Sequence, residues 1–173
     1  PIAPKISNGG GAPCQEVVIT DDIDIRRFPI PTYSPKDGGP YITAGIFVCR
    51  DPEIGVNDIG HYRAQIVDRN SFTFFAQPFH RFGKYLAKCK RAGITPTGAI
   101  AIGVDPVLAY TCQVQTSDET DDWQVAGGLR GAPVDLVRCK TIDLEVPATA
   151  EAIIEFEFDL GHAVSEGPLG GYT

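Results

Sequence analysis

No apolar run in this chain approaches the ~20 residues that a membrane-crossing helix needs, and no basic stretch followed by an apolar one opens it. Neither a spanning helix nor a secretory leader is expected; a soluble, cytoplasmic protein is. There is no CxxC pair, and the cysteines, five and so odd in number, are widely spaced (Cys14, Cys49, Cys89, Cys112, Cys139). That pattern predicts reduced thiols rather than a disulfide framework or a structural zinc site. Positive charge is scarce: 15 basic against 22 acidic residues leave a net charge of -7, and only Lys84, Lys88, Lys90 and Arg91 gather basic charge on one candidate helix. Nucleic acid and anionic membrane are poor partners for such a surface. Also missing are a Gly-x-Ser-x-Gly elbow, a Walker-type phosphate loop, a GxGxxG turn, internal repeats and low-complexity tracts, which removes the commonest hydrolase and nucleotide-binding classes.

What is present is turn chemistry and β-pattern. With 173 residues, 43% of them hydrophobic, the chain suits one domain with its own core, and 19 glycines with 14 prolines between short Val, Ile, Thr and Phe runs favour strands over a bundle. Residues 1–13 read as a linker or surface-hugging arm, 15–20 as a short first strand, and the Pro29, Pro31, Pro35 segment as an irregular connection. A turn at Asp37-Gly38-Gly39-Pro40 launches 41–49, apolar at nearly every position and so buried on both faces. The stretch 60–69 alternates, with Tyr62, Ala64 and Ile66 on a core face and His61, Arg63 and Gln65 on a polar face; 71–76 returns like a hairpin. A helix is expected from His80 to Ala92 on its stripe of Phe82, Tyr85, Leu86 and Cys89, ended by Gly93. Residues 99–104 form a buried strand that Asp105-Pro106 breaks, and a weaker helix begins at Asp122 and ends near Gly131. In the last third, Val134, Leu136; Ile142, Leu144, Val146; and Ile154, Phe156, Phe158 alternate with acids, predicting three strands with solvated acidic faces. The expected architecture is α+β and β-rich, a partly closed barrel with one or two packed helices.

Five polar residues stand at element ends, where sites are usually built: Asp58, Arg63, His80, Asp122 and Glu166. Two carboxylates and a histidine would suit Mn²⁺ or Mg²⁺ better than structural zinc. Motif logic alone leaves the plainer reading in place, with His80 as an exposed helix start and Asp121-Asp122 as complements of a helix dipole.

Three stretches change the odds. Asp37-Gly38-Gly39-Pro40-Tyr41-Ile42-Thr43-Ala44-Gly45, then Gly60-His61-Tyr62-Arg63, then Cys139-Lys140-Thr141-Ile142-Asp143-Leu144-Glu145-Val146-Pro147-Ala148 with Glu166-Gly167-Pro168-Leu169-Gly170, resemble in order and spacing the UbiD family of prenylated-flavin-dependent carboxylases and decarboxylases. Ala126-Gly127-Gly128-Leu129-Arg130-Gly131 resembles the family's segment before that third stretch. The resemblance implies a flavin reductase-like split β-barrel spanning 15–173 behind an arm of 1–14, the middle domain of a longer chain whose C-terminal domain is absent. A start on Pro1 and a stop shortly after Gly170 agree with a fragment, expected to be inactive in isolation.

The resemblance also implies chemistry. Arg63 matches the family's catalytic arginine and Glu166 its acid/base glutamate; Thr43, Arg63, His80 and Thr111 would contact prenylated FMN. Asp58, His80 and Asp122 fall on the family's Mn²⁺ ligands, an asparagine, a histidine and a glutamate, with K⁺ nearby, and Asn57 offers an alternative to Asp58. A second family carboxylate falls on Gly171. The implied reaction is reversible decarboxylation of an aromatic, heteroaromatic or α,β-unsaturated carboxylic acid, with CO₂ as co-product, a flavin prenyltransferase as cofactor supplier and a homo-oligomeric whole. The loss at Gly171 keeps open a non-catalytic flavin-binding or subunit-interface module instead.

Overall fold

The computed structural model describes residues 1–7 and 11–170. In chain order its elements are β1 (Lys5–Ser7), β2 (Tyr41–Ile42), β3 (Ile46–Arg50), β4 (Asn57–His61), β5 (Ala64–Asp68), β6 (Ser71–Phe72), α1 (Arg81–Ala92), β7 (Thr97–Ile102), α2 (Pro106–Thr111), α3 (Asp122–Arg130), β8 (Asp135–Arg138), β9 (Glu145–Pro147) and β10 (Ala152–Glu157). The class is α+β and strand-rich, with three α-helices among the described residues where one or two were expected.

A four-stranded antiparallel sheet, ordered β10-β7-β3-β4, divides the molecule. Period-two alternation sends the side chains of its inner strands to opposite faces. Ile46, Val48, Ala99 and Ala101 enter one core with Trp123, Leu136 and Val146, while Phe47, Cys49 and Ile100 enter another with Phe82, Tyr85 and Ile66. Helices α2 and α3 and the β1-β8-β9 sheet serve the first core; α1 and the β2-β5-β6 sheet serve the second. The second is aromatic, with Phe47, Tyr62, Phe74 and Phe82 meeting at centroid separations of 4.9–6.5 Å in tilted or edge-on geometry.

Helix α1 forms as its stripe predicts: Phe82, Tyr85 and Cys89 are buried, and Gly93 closes the helix in the left-handed region at φ 66°. Three of its four gathered basic residues are ion-paired, Lys84 with Asp118, Lys88 with Asp51 and Arg91 with Glu53. Helix α2 occupies the stretch after Asp105-Pro106. The Asp105 side chain accepts from the Val107 N–H and Pro106 takes the first helical position, so the break that ends the strand is also a helix start.

Other expectations change for identifiable reasons. The 60–69 strand is two strands: after His61 the chain leaves the central sheet, turns through Tyr62-Arg63, and joins a different sheet as β5. Sinking the Tyr62 ring among Phe47, Phe74 and Phe82 makes that corner. Residues 15–20 form no strand, since Val17, Val18 and Ile19 lie exposed with no sheet beside them. The return after Asn70 is a strand only over Ser71–Phe72. The N-terminal arm does hug the surface, and further pairs as β1 in parallel with β8 while the Ile2 N–H donates to the Gln124 carbonyl. Glu145, expected on a solvated face, is buried and ion-paired to Arg50. All five cysteines are free, and burial pushes each thiol above its ordinary pKa. No helix among the described residues is long and apolar enough to cross a membrane.

Candidate functional site

The corner between β4 and β5 carries Arg63 outward from the aromatic core. There it meets Glu166, which is 103 residues away along the chain: Nε lies 2.7 Å from Oε1, and Nη2 donates to Oε2 at 3.3 Å. The two side chains are 33% and 15% exposed, so the pair is half-sheltered and still within reach of a ligand. A fork-on-fork arginine–carboxylate contact fixes both groups in direction as well as distance.

Residues 166–170 are clasped from the other side. Gln65, buried on β5, donates through Nε2 to the Gly38 carbonyl at 2.8 Å and accepts through Oε1 from the Gly167 N–H at 2.9 Å. The Gly38 N–H donates to the Pro168 carbonyl at 2.6 Å, and the Gly170 N–H to Asp37 Oδ1 at 2.9 Å. Contact is so close that a Cβ on Gly38 would lie 2.4 Å from the Gly167 oxygen. Gly167 itself adopts φ 101°, open to glycine and strained for other residues. The Asp37-Gly38-Gly39 turn and the Glu-Gly-Pro motif, remote in sequence, are thus two halves of one structure.

Beside this clasp an open cleft of about 210 Å³ is lined by Tyr33, Ser34, Asp37, Thr43, Leu169 and Gly170. Thr43 is exposed there, its hydroxyl 2.7 Å from the Tyr33 hydroxyl. Next to it, Tyr41 Oη is buried with no hydrogen-bond partner among the described residues. Burial, then the Glu166 carboxylate, raise the Tyr41 phenol above its ordinary pKa. An orphaned hydroxyl beside an open cleft is what a ligand with its own polar edge would satisfy, so these residues fit a flavin. Thr111 does not join them: its hydroxyl is buried and donates to the Val107 carbonyl one turn back within α2.

A second polar cluster lies where α1, β4 and α3 meet. Asp58 and Asp122 are both buried, and Arg81 reaches both, at 3.4 Å and 2.8 Å. Burial pushes the Asp58 carboxyl upward, Arg81 pulls it back, and Asp122 adds to the rise. His80 is not in this cluster: it is exposed at the N-cap of α1, its ring edge-on to Phe79. Among the described residues no three or more His, Cys, Asp or Glu side chains gather closely enough to hold a metal ion. The set Asp58, His80 and Asp122 therefore does not fit a three-ligand metal centre as it stands. Asn57 is engaged instead with Asp121, to which its side chain donates at 2.8 Å. Gly171 lies outside the described residues.

Gln65, Tyr41 and Arg81 were not anticipated from sequence. For Gln65 the signal existed, since the alternation puts it on the face of Arg63. For Arg81 it was the need of two buried acids for a counter-charge.

Comparison with known proteins supplies the family. Residues 5–173 match the profile of the UbiD, 3-octaprenyl-4-hydroxybenzoate carboxy-lyase, Rift-related domain. A protein of Aquifex aeolicus is 40% identical over 172 residues, covering 98% of this chain and 35% of its own length, and one from Synechocystis is 34% identical over 161 residues, covering 92% and 32%. This chain thus spans about a third of the length of these relatives. The UbiD-class enzyme HmfF of Pelotomaculum thermopropionicum, solved with FMN, superposes with a TM-score of 0.95 at 36% identity over 99% of this chain and 39% of HmfF. Vanillic acid decarboxylase of Sedimentibacter hydroxybenzoicus superposes with a TM-score of 0.92 at 29% identity, over 98% and 37%. With a profile that runs to the last residue and relatives alike in sequence and in fold, the chain belongs to the UbiD family of carboxy-lyases.

Proposed function

We propose that this chain is the flavin-binding, split-barrel domain of a UbiD-type enzyme that reversibly decarboxylates an aromatic, heteroaromatic or α,β-unsaturated carboxylic acid, with Arg63 and Glu166 as its catalytic pair. The observation that carries this reading is the pairing of a directed guanidinium with a half-buried carboxylate whose own segment, through Leu169 and Gly170, lines an open cleft. A substrate carboxylate presents to Arg63 the same fork that Glu166 now presents, so its arrival takes over the guanidinium and releases Glu166. Glu166, held by the Gln65 and Gly38 clasp, takes up a proton from solvent once the guanidinium has left it and gives that proton to the carbon that has lost CO₂; the transfer runs in reverse in the carboxylation direction. Tyr41, buried and raised in pKa, keeps its proton and serves as a neutral donor beside Glu166.

Prenylated FMN, when bound, supplies the electron sink that makes loss of CO₂ from an sp² carbon feasible. HmfF has been solved with both FMN and prenylated FMN, the latter in an evolved dimeric form, which supports the same cofactor and a homo-oligomeric whole protein here. Thr43 would face that cofactor from the cleft; neither Thr111 nor a Mn²⁺ or K⁺ ion enters any step. A flavin prenyltransferase is the expected supplier.

The test is co-expression of the whole protein with a flavin prenyltransferase, followed by CO₂ release from a panel of aryl and acrylic acids. Arg63→Lys should keep the cofactor and the melting temperature yet lose turnover, because a point-charge ammonium cannot reproduce the planar fork. Decarboxylation that survives in Arg63→Lys would remove Arg63 from the mechanism.

A further inference from the structure

The cluster of Asp58, Arg81 and Asp122 is separate from the Arg63–Glu166 pair, and its hydrogen bonding is nearly closed. Arg81 Nη1 donates to Asp122 Oδ1 and to Thr116 Oγ1, each at 2.8 Å, and Nη2 donates to the Thr120 carbonyl at 2.9 Å and the Asn57 carbonyl at 3.3 Å. Its Nε lies 3.4 Å from Asp58 Oδ1. Asp122 Oδ1 also accepts from the Thr116 hydroxyl at 3.1 Å, while Oδ2 accepts from the Ile59 N–H at 3.0 Å. Every guanidinium nitrogen is engaged, and both Asp122 oxygens are taken by protein donors.

A divalent ion would need those lone pairs at ~2.0–2.6 Å. It would also need space. The cavity beside Asp58 and Arg81 measures about 20 Å³, room for one water molecule and not for a hydrated cation. His80, the nitrogen donor of the implied ligand set, is on the surface one residue away.

We propose that Arg81 is the resident cation of this acidic site, bridging Asp58 and Asp122 in place of a divalent ion and thereby fastening α1 to β4 and to the start of α3. The aspartate at 58 fits this role. Where the family pattern has a neutral asparagine, the acid gives the guanidinium a second charged partner. Removing that guanidinium would leave two carboxylates buried side by side, the costly arrangement that a cation prevents.

The experiment uses the purified protein, dialysed against EDTA, with Mn²⁺ as the probe, and reads native mass spectra and thermal melts. For the wild type the expected result is no bound Mn²⁺ and the same melting temperature with EDTA or with ~1 mM MnCl₂, where a micromolar site would raise it by several degrees. Arg81→Gln should melt lower than wild type and gain a Mn²⁺-dependent rise, and adding Asp58→Asn should recover part of the loss without metal. One tightly held Mn²⁺ per wild-type chain, or a melting temperature that drops in EDTA, would overturn the proposal. So would an Arg81→Gln protein that melts like wild type. Should Arg81→Gln fail to fold, the wild-type titration decides alone.

Discussion

Replacing Gln65 with methionine, close in size and unbranched, isolates the clasp that holds Glu166. The substitution removes the bond to the Gly38 carbonyl and the bond from the Gly167 N–H. At about 1 kcal/mol each, the loss is ~2 kcal/mol, or about 30-fold in an opening equilibrium. Where this free energy shows itself depends on the neighbourhood. The main attachments left to 166–170 would be the Gly38–Pro168 and Asp37–Gly170 bonds and the Arg63–Glu166 pair, at the rim of an open cleft. The orphaned groups can therefore reach water by a local release, without unfolding the two cores. Hydrogen exchange resolved at the Gly167 and Gly170 amides should accelerate by roughly 30-fold, with the amides of β3 and β7 unchanged and the melting temperature nearly constant. Turnover of the whole protein should fall, since Glu166 is no longer held in register with Arg63. Wild-type protection at Gly167 in Gln65→Met would refute the reasoning, and so would a large cooperative loss of stability with no local change.

Glu166→Gln should retain flavin and fold while losing about 10²–10⁴ in turnover, the usual worth of a positioned acid–base group; steady-state assay beside a cofactor absorbance spectrum checks both. Gly83→Ala puts a Cβ 2.2 Å from the Gln77 carbonyl and 2.9 Å from the Pro78 Cα, and with only backbone to yield it should cost about 1–3 kcal/mol in chemical denaturation. His61, half-buried and 2.9 Å from the Gln113 amide, has its pKa lowered by burial. The unfolded chain therefore takes up the proton first. Stability that His61 permits at neutral pH is lost as pH falls below the ordinary histidine value of ~6.5, and His61→Gln should flatten that acid-side decline in urea melts.

Local signals were legible wherever one element carried its own pattern. The stripe of Phe82, Tyr85, Leu86 and Cys89 ended by Gly93 could be read directly, because a helix face and its stop lie within a few turns of chain. The alternation that starts at Ile154 marked a strand for the same reason, and β10 covers its first half, from Ala152 to Glu157. Tertiary context decided the rest. Val17, Val18 and Ile19 have strand-forming side chains, yet a strand needs an edge to pair with and none lies beside them. Alternation ran unbroken through Tyr62 and Arg63, but an aromatic pocket assembled from Phe47, Phe74 and Phe82 pulled the tyrosine inward and turned the chain into another sheet. Asp105-Pro106 carried a signal that points both ways, since proline ends one element and starts the next.

Arg63 and Glu166 are 103 residues apart, so no spacing rule could join them; family resemblance named both, and in the structure their side chains are in contact. The acidic pair shows a different limit. Asp58 and Asp122 come together around Arg81, and two buried acids demand a positive charge. His80-Arg81 offers two candidates at adjacent positions, one a metal ligand and one a charge in its own right. Backbone geometry separates them. His80 is the extended N-cap residue, at φ -75° and ψ 154°, and its side chain stays on the surface with Phe79. Arg81 is the first residue of the helix, and the turn of α1 carries its guanidinium inward to both carboxylates. The backbone at the start of α1 thus turns a guanidinium, and not an imidazole, toward the two acids.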